Sequence, residues 1–252
     1  MSASVEFWIS VLQLSLERNM ENNLRKTLNL SRLVPKGGIL LLPEMFIWNF
    51  EEEEIERLSS MTPQVLDALG DLSRKRDLII CGTLPEKTEE GIRNTAYLID
   101  RGYLIGKRSK IKLFPLFGED KHFIPGEENP VFNTRFGRIG ILICFELRFT
   151  DLVMDLKKKE AELILVPAQW GLDRKPHLET LAKARAVELQ SFLAVSNIWG
   201  TLKETEFAGS SGIYSPWGEI LGFSDKGDAI ITSRIRLGDV EDVRRRIPVN
   251  IG

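Results

Sequence analysis

The sequence predicts a single α/β domain in which short, wholly apolar strands alternate with amphipathic helices. Three observations carry this reading. Residues 39–42 and 163–166 are apolar without alternation and only strand-length, as in strands covered on both faces of a sheet. Between such runs lie stretches with helical spacing, at 16–34, 63–75 and 175–190. No Ser-, Gly- or Pro-rich linker and no low-complexity tract divides the 252 residues.

In chain order, residues 5–14 read as a strand. The helix that follows stops at Pro35-Lys36-Gly37-Gly38. The strand 39–42, the helix 63–75 and the strand 77–81 come next. Residues 94–99 and 103–110 flank Asp100-Arg101-Gly102 and read as a hairpin. Residues 137–143 form a strand leading to a helix at 151–159. The strand 163–166, the helix 175–190 and the strand 192–196 repeat the alternation. Strands at 207–214, 219–223 and 229–235 are punctuated by Ser215-Pro216-Trp217-Gly218, and a short basic helix spans 238–246. One internal echo stands out: Ile39-Leu-Leu-Leu-Pro-Glu-Met-Phe46 resembles Leu163-Ile-Leu-Val-Pro-Ala-Gln-Trp170. Ligands in α/β sheets sit where strands end, so two such Pro-polar-aromatic ends can line one pocket.

Composition excludes several function classes. Hydrophobic residues are 43% and charged residues 28%, and 34 Lys+Arg against 36 Asp+Glu give a net charge of -2. Such a balance offers nucleic acid no attraction. The longest apolar runs fall far short of a membrane span. No basic region precedes the first apolar residues, so a signal peptide is not expected. Two cysteines, Cys81 and Cys144, are too few for a disulfide framework, and a reducing cytoplasm is the expected home. Two histidines, His122 and His177, leave little material for a His-rich metal site or a Ser-His-Asp triad.

Cys144 ends the apolar run Ile139-Gly-Ile-Leu-Ile-Cys144, and the chain turns polar at once with Phe145-Glu146-Leu147-Arg148. A thiol at such a strand-to-helix turn can open on a pocket with backbone N–H groups beside it. Cys81 has no charged neighbour in sequence and reads as structural. A thiol nucleophile needs a base and a positive charge. Glu44 follows a buried strand and Pro43, where partial desolvation suits a general base, although a solvated loop carboxylate fits the same feature. The acidic run at 51–54 reads as a solvated helix start. The basic cluster 107–112 offers both Lys110 and Lys112, which share a face by strand alternation, so periodicity does not choose between them. Glu119 follows in the loop toward Pro125-Gly126.

Taken together these segments resemble the nitrilase, or carbon–nitrogen hydrolase, superfamily from about Val5 to Pro248. Leu42-Pro43-Glu44-Met45-Phe46 is similar to its base motif, Arg108-Ser-Lys110-Ile-Lys-Leu-Phe114 to its lysine motif, and Cys144-Phe-Glu-Leu-Arg148-Phe149 to its nucleophile motif. Gly82-Thr-Leu-Pro-Glu86, Asn94-Thr-Ala, Arg185-Ala-Val-Glu188 and Gly209-Ser-Ser211 match in order and spacing. The family pattern, usually Lys-x-His-Leu-Phe, selects Lys110, with Lys112 in place of the His. Phe145 stands where Tyr is common and Glu146 where Asp is common.

The resemblance implies a four-layer αββα sandwich and an amide hydrolase without metal or organic cofactor. It implies Glu44 as base, Cys144 as nucleophile, Lys110 with the Phe145 N–H as oxyanion donors, and Glu119 orienting Lys110. It implies a small-molecule amide substrate, no nucleic-acid or membrane partner, and a homodimer formed through the helix after the nucleophile. Among branches the motifs are most similar to omega-amidases. Phe46, Phe117, Phe145, Gln169 and Trp170 are then the candidate substrate-binding residues, with Arg174 and Lys175 as possible contacts to a substrate carboxylate. N-carbamoyl amino acid or amine hydrolysis, a nitrilase and a silent scaffold are the alternatives.

Overall fold

A computed structural model describes residues 6–48 and 54–249. The side chain of Phe117 and most of the acidic run 51–54 lie outside the described residues. The first half of the chain forms β1 (Glu6–Gln13), α1 (Met20–Ser31), β2 (Gly38–Leu41), α2 (Ile55–Arg76), β3 (Leu78–Lys87), β4 (Ile92–Asp100) and β5 (Tyr103–Ser109). A short α3 (Glu119–His122) and β6 (Val131–Thr134) lead into β7 (Gly137–Ile141), α4 (Thr150–Lys158), β8 (Leu163–Pro167), α5 (Lys175–Leu189) and β9 (Phe192–Ser196). The chain closes with β10 (Trp199–Leu202), β11 (Thr205–Ala208), β12 (Ser211–Tyr214), β13 (Ile220–Ser224), β14 (Ala229–Arg236) and α6 (Gly238–Arg246).

Two six-stranded sheets form, ordered β14-β1-β2-β3-β4-β5 and β13-β12-β9-β8-β7-β6, with β10-β11 as a separate hairpin. In each, three central strands are parallel and the outer ones antiparallel. The halves therefore correspond, β1-β2-β3 with β7-β8-β9. The sequence echo falls on the equivalent middle strands β2 and β8, and the polar residues that follow them meet, with Gln169 bonded to the Glu44 carbonyl.

Strand alternation builds the layers. Ile9, Val11, Ile39, Leu41 and Ile79 face the second sheet and pack with Ile141, Leu165 and Val195. Their neighbours Leu12, Leu40, Leu42 and Ile80 face the other way, onto Met20, Leu58, Val65 and Leu69 of α1 and α2. Val153 and Leu156 of α4 and Leu178 and Ala182 of α5 cover the outer face of the second sheet. The result is the expected α-β-β-α order.

Three expectations change. The helix placed at 63–75 starts two turns earlier, because Ile55 and Leu58 extend its buried face and Pro63 is carried inside it. The strand placed at 207–214 breaks in two where Gly209 (φ 62°) and Ser210 (φ 53°) turn left-handed. A Cβ at Gly209 would lie 2.1 Å from the Asp225 carbonyl, so only glycine fits. Lys110 and Lys112 share no strand face, since β5 ends at Ser109.

Candidate active site

Three loops at the ends of the central strands β2, β7 and β8 meet a fourth that follows the edge strand β5. Glu44 follows β2, and its turn is fixed by Met45 (φ 45°), whose N–H donates to Thr83 Oγ1 at 2.8 Å. Gln169, after β8, donates from Nε2 to the Glu44 carbonyl at 2.7 Å. Cys144 opens a 3-10 turn after β7 with φ 52°. A left-handed conformation is uncommon for a residue with a Cβ and persists where the surroundings over-determine it.

Lys110 joins the carboxylates. Its side chain is fully buried and its ammonium donates to Glu44 Oε1 at 2.8 Å and to Glu119 Oε1 at 2.7 Å. Asn94 on β4 adds a donor to the same Glu44 oxygen at 2.8 Å, and its carbonyl accepts from the Lys110 N–H at 2.8 Å. Glu119 Oε2 accepts from the Phe114 N–H at 2.7 Å. Burial opposes the Lys110 charge, but Glu44 and Glu119 outweigh it and hold the ammonium above the ordinary lysine range. Burial raises Glu119 above the usual carboxylate range against the pull of Lys110.

Burial, with the Glu44 charge, pushes the Cys144 thiol well above the ordinary cysteine value, while Lys110 and the Gln169 backbone N–H pull it back down. A thiol shifted in that direction needs a base to take its proton before or as it forms a new bond. Burial pushes Cys81 up to about 12, and it faces the core between the sheets.

A cavity of about 400 Å³ opens over this group, a size suited to a small molecule. Cys144, Glu44, Lys110 and Glu119 line it together, and so do Phe145, Gln169 and Trp170. Phe46 does not: it is fully buried and packs against Gly82 in the core beneath α1 and α2. Lys175 pairs with Asp225 outside the cavity. Lys112 points away too, pairing with Asp151 at 3.2 Å and lying 5.1 Å from the Phe149 ring.

Arg148 is a lining residue that sequence reading passed over, although it stands inside the quoted nucleophile segment. Its guanidinium stacks 4.5 Å from the Trp170 ring and lies 3.1 Å from His177 Nδ1. Burial and the nearby Arg174 press its pKa below the ordinary arginine value. Among the described residues the cavity is lined by five cations, Lys110, Lys121, Arg148, Arg174 and Lys203, against Glu44 and Glu119. That local surplus contrasts with a net charge of -2 for the whole chain.

A family profile described as carbon-nitrogen hydrolase matches residues 9–245. The chain belongs to the carbon-nitrogen hydrolase family. Among curated relatives of this hydrolase, the 2-oxoglutaramate amidase of Bacillus subtilis (strain 168) is 28% identical over 250 residues, spanning 97% of this chain and 96% of that one. An omega-amidase of Homo sapiens is 27% identical over 257 residues, spanning 96% and 93%. The fold agrees with the crystal structure of a carbon-nitrogen hydrolase from Helicobacter pylori G27 at TM-score 0.90, with 22% identity over 96% of this chain and 93% of that chain. It agrees at TM-score 0.83 with an amidase from Nesterenkonia sp. AN1, 23% identical over 96% of this chain and 98% of that chain, in which acrylamide had added to the active-site cysteine.

Proposed function

We propose that this hydrolase cleaves the terminal amide of a small 2-oxo acid amide such as 2-oxoglutaramate, through a thioester on Cys144, releasing ammonia. The observation that carries the reading is the buried Glu44–Lys110–Glu119 chain of hydrogen bonds lining one cavity with the Cys144 thiol. Glu44 Oε1 is occupied by Lys110 and Asn94, which leaves Oε2 as the oxygen to take the thiol proton.

The steps follow from that arrangement. Glu44 takes the Cys144 proton as sulfur attacks the amide carbon, and the carbon–sulfur bond forms. Negative charge develops on the carbonyl oxygen, where the Lys110 ammonium and the Phe145 N–H stabilise it. Protonated Glu44 gives its proton to the amide nitrogen, the carbon–nitrogen bond breaks, and ammonia leaves. Water then adds to the thioester, again losing a proton to Glu44, and the carbon–sulfur bond breaks to free the acid and restore the thiol. Glu119 keeps Lys110 charged and aimed. No step calls on a metal or organic cofactor.

The cationic wall supports an anionic substrate: Arg148 and Arg174 line the same cavity as Cys144, and a guanidinium is the side chain best matched to a carboxylate. The same wall suits an N-carbamoyl amino acid, whose carboxylate also lies away from the cleaved bond, and this is the second reading. The free, unpaired thiol chemistry suits a reducing cytoplasm, and a homodimer through α4 is part of the proposal. The deciding experiment is ammonia release by the wild type and Cys144→Ala from 2-oxoglutaramate, glutamine, an N-carbamoyl amino acid and a simple nitrile. Cys144-dependent release from 2-oxoglutaramate above all others is expected. Release chiefly from the carbamoyl compound would move the substrate and keep the mechanism, and no release from any would sink the reading.

A further inference from the structure

One carboxylate outside the reacting group ties the two catalytic loops together. Glu146, two residues after Cys144, is fully buried. Its Oε2 accepts from the Ile143 N–H at 2.6 Å, immediately before the nucleophile. Its Oε1 accepts from the Ile111 N–H at 2.6 Å, immediately after Lys110, with the Lys112 N–H at 3.4 Å. Arg108, at the end of β5, forks across both oxygens, with Nη2 at 2.9 Å from Oε1 and Nη1 on Oε2. Arg108 Nη1 also donates to the Ile141 carbonyl of β7 at 3.0 Å. Both side chains of this pair have no exposed surface.

The backbone amides that Glu146 holds belong to different sheets. β5 and the lysine loop come from the edge of one sheet, while β7 and the cysteine turn come from the other. No strand pairing sets the distance between them. We propose that Glu146, clamped by Arg108, is the positioning residue that registers the Lys110 ammonium against the Cys144 thiol. This rests on the reading above that Lys110 and Cys144 carry the reaction. Neither Glu146 nor Arg108 is among the residues lining the cavity, so their effect on chemistry is exerted through the two loops. A carboxylate is required because five donors converge on two oxygens from two directions, and a planar guanidinium is required because only its fork engages both oxygens at once.

The physical consequence is a coupling between lysine placement and thiol reactivity. Lys110 is the neighbouring cation that favours the Cys144 thiolate. If the lysine loop relaxes away from the cysteine turn, sulfur loses that help in the attack and the oxyanion loses its donor. Displacements of about 1 Å at a reacting group cost about 100-fold in rate. The substrate's remote groups, held by the cavity wall, are left in place.

The test compares Glu146→Gln with wild type in two assays on the whole protein: steady-state kinetics on whichever amide the wild type turns over, and the rate of Cys144 alkylation by iodoacetamide followed by intact mass. The amide of Gln keeps the shape but replaces one acceptor oxygen with a donor, setting it against a backbone N–H or Arg108. The expected result is a fall of about 100-fold in kcat and a parallel fall in the alkylation rate, with KM within about threefold. Arg108→Lys, which keeps the charge and loses the fork, is the second variant should Glu146→Gln not fold, and a fall of about tenfold in both rates is expected. Ser73→Ala serves as the control for stability alone. It deletes a buried bond from α2 to the Leu78 carbonyl at 2.6 Å, far from the site, and leaves kcat and alkylation at wild-type rates. Folded Glu146→Gln or Arg108→Lys that alkylates Cys144 at the wild-type rate overturns the proposal. Because alkylation needs no knowledge of the substrate, a wild type that alkylates but hydrolyses none of the amides offered would sink the amidase reading alone.

Discussion

Replacing Lys110 with methionine removes one ammonium and keeps nearly all of the side chain's volume. The ammonium is fully buried between Glu44 at 2.8 Å and Glu119 at 2.7 Å. Breaking a buried ion pair by removing one partner costs about 3–5 kcal/mol, because the remaining charge is left uncompensated. At roughly 2–4 °C per kcal/mol for a chain of this size, the melting temperature should drop by about 10 °C. The loss should itself depend on pH. Glu119 already lies above the ordinary carboxylate range, through burial opposed by Lys110, and without the lysine it climbs further. A carboxyl whose pKa is higher folded than unfolded binds its proton preferentially in the native state. Its stabilising contribution is present below the unfolded value of about 4.3 and is lost as the pH rises through the native one. The melting temperature of Lys110→Met should therefore decline between pH 5 and pH 8 more steeply than that of the wild type. In kinetics, loss of one oxyanion donor costs about 10²–10³ in kcat, so turnover should fall by at least that factor. Lys112→Met supplies the contrast: its Asp151 partner is largely exposed, a pair worth about 0–1 kcal/mol, and kcat should hold. Differential scanning calorimetry across pH and ammonia release would measure both. A Lys112 variant that loses more activity than the Lys110 variant, or two melting curves that run parallel with pH, would refute the reasoning.

The remaining predictions are more local. Cys144→Ala should abolish ammonia release with the melting temperature within a few degrees of wild type, since it deletes the atom proposed to form the acyl-enzyme; residual turnover would show that another group attacks. Burial and the Glu44 charge raise the Cys144 thiol, so the ultraviolet difference between wild type and Cys144→Ala should show no thiolate near pH 7, and a thiolate band there would mean a preformed ion pair. Arg148→Leu should raise KM about tenfold or more for amides bearing a carboxylate, the worth of a charge-assisted hydrogen bond. Neutral amides should be affected less than about threefold, and an equal effect on both would remove Arg148 from carboxylate recognition.

Much of this molecule was legible in one dimension. The parallel strands announced themselves because burial on both faces forbids polar alternation, so β2, β8 and β9 could be placed within a residue or two. The polar residues that follow β2 and β7 marked the turns where Glu44 and Cys144 sit, since a chain that leaves a buried sheet must change character there. Extensions were harder. Helix α2 runs past Pro63 because its buried face continues to Ile55, and tertiary packing outweighs the residue's usual place in a first turn. The break at Gly209-Ser210 depends on the close approach of Asp225, which lies sixteen residues away and carries no local signal.

By itself, then, the sequence determined the alternation of buried strands and helices, the strand-end turns and the chemistry of the residues placed in them, because each is fixed by contacts within a few residues. Tertiary structure decided everything that required two loops to meet. Strand periodicity put Lys110 and Lys112 on one face, yet the end of β5 at Ser109 sends one between two carboxylates and the other to Asp151. Phe46 and Trp170 end equivalent strands in equivalent words, yet one fills the core and the other walls the cavity. Glu146 and Arg108 stand 38 residues apart and meet only when the two sheets pack. Where a side chain points is set by what the other sheet brings against it, and that is information no local pattern holds.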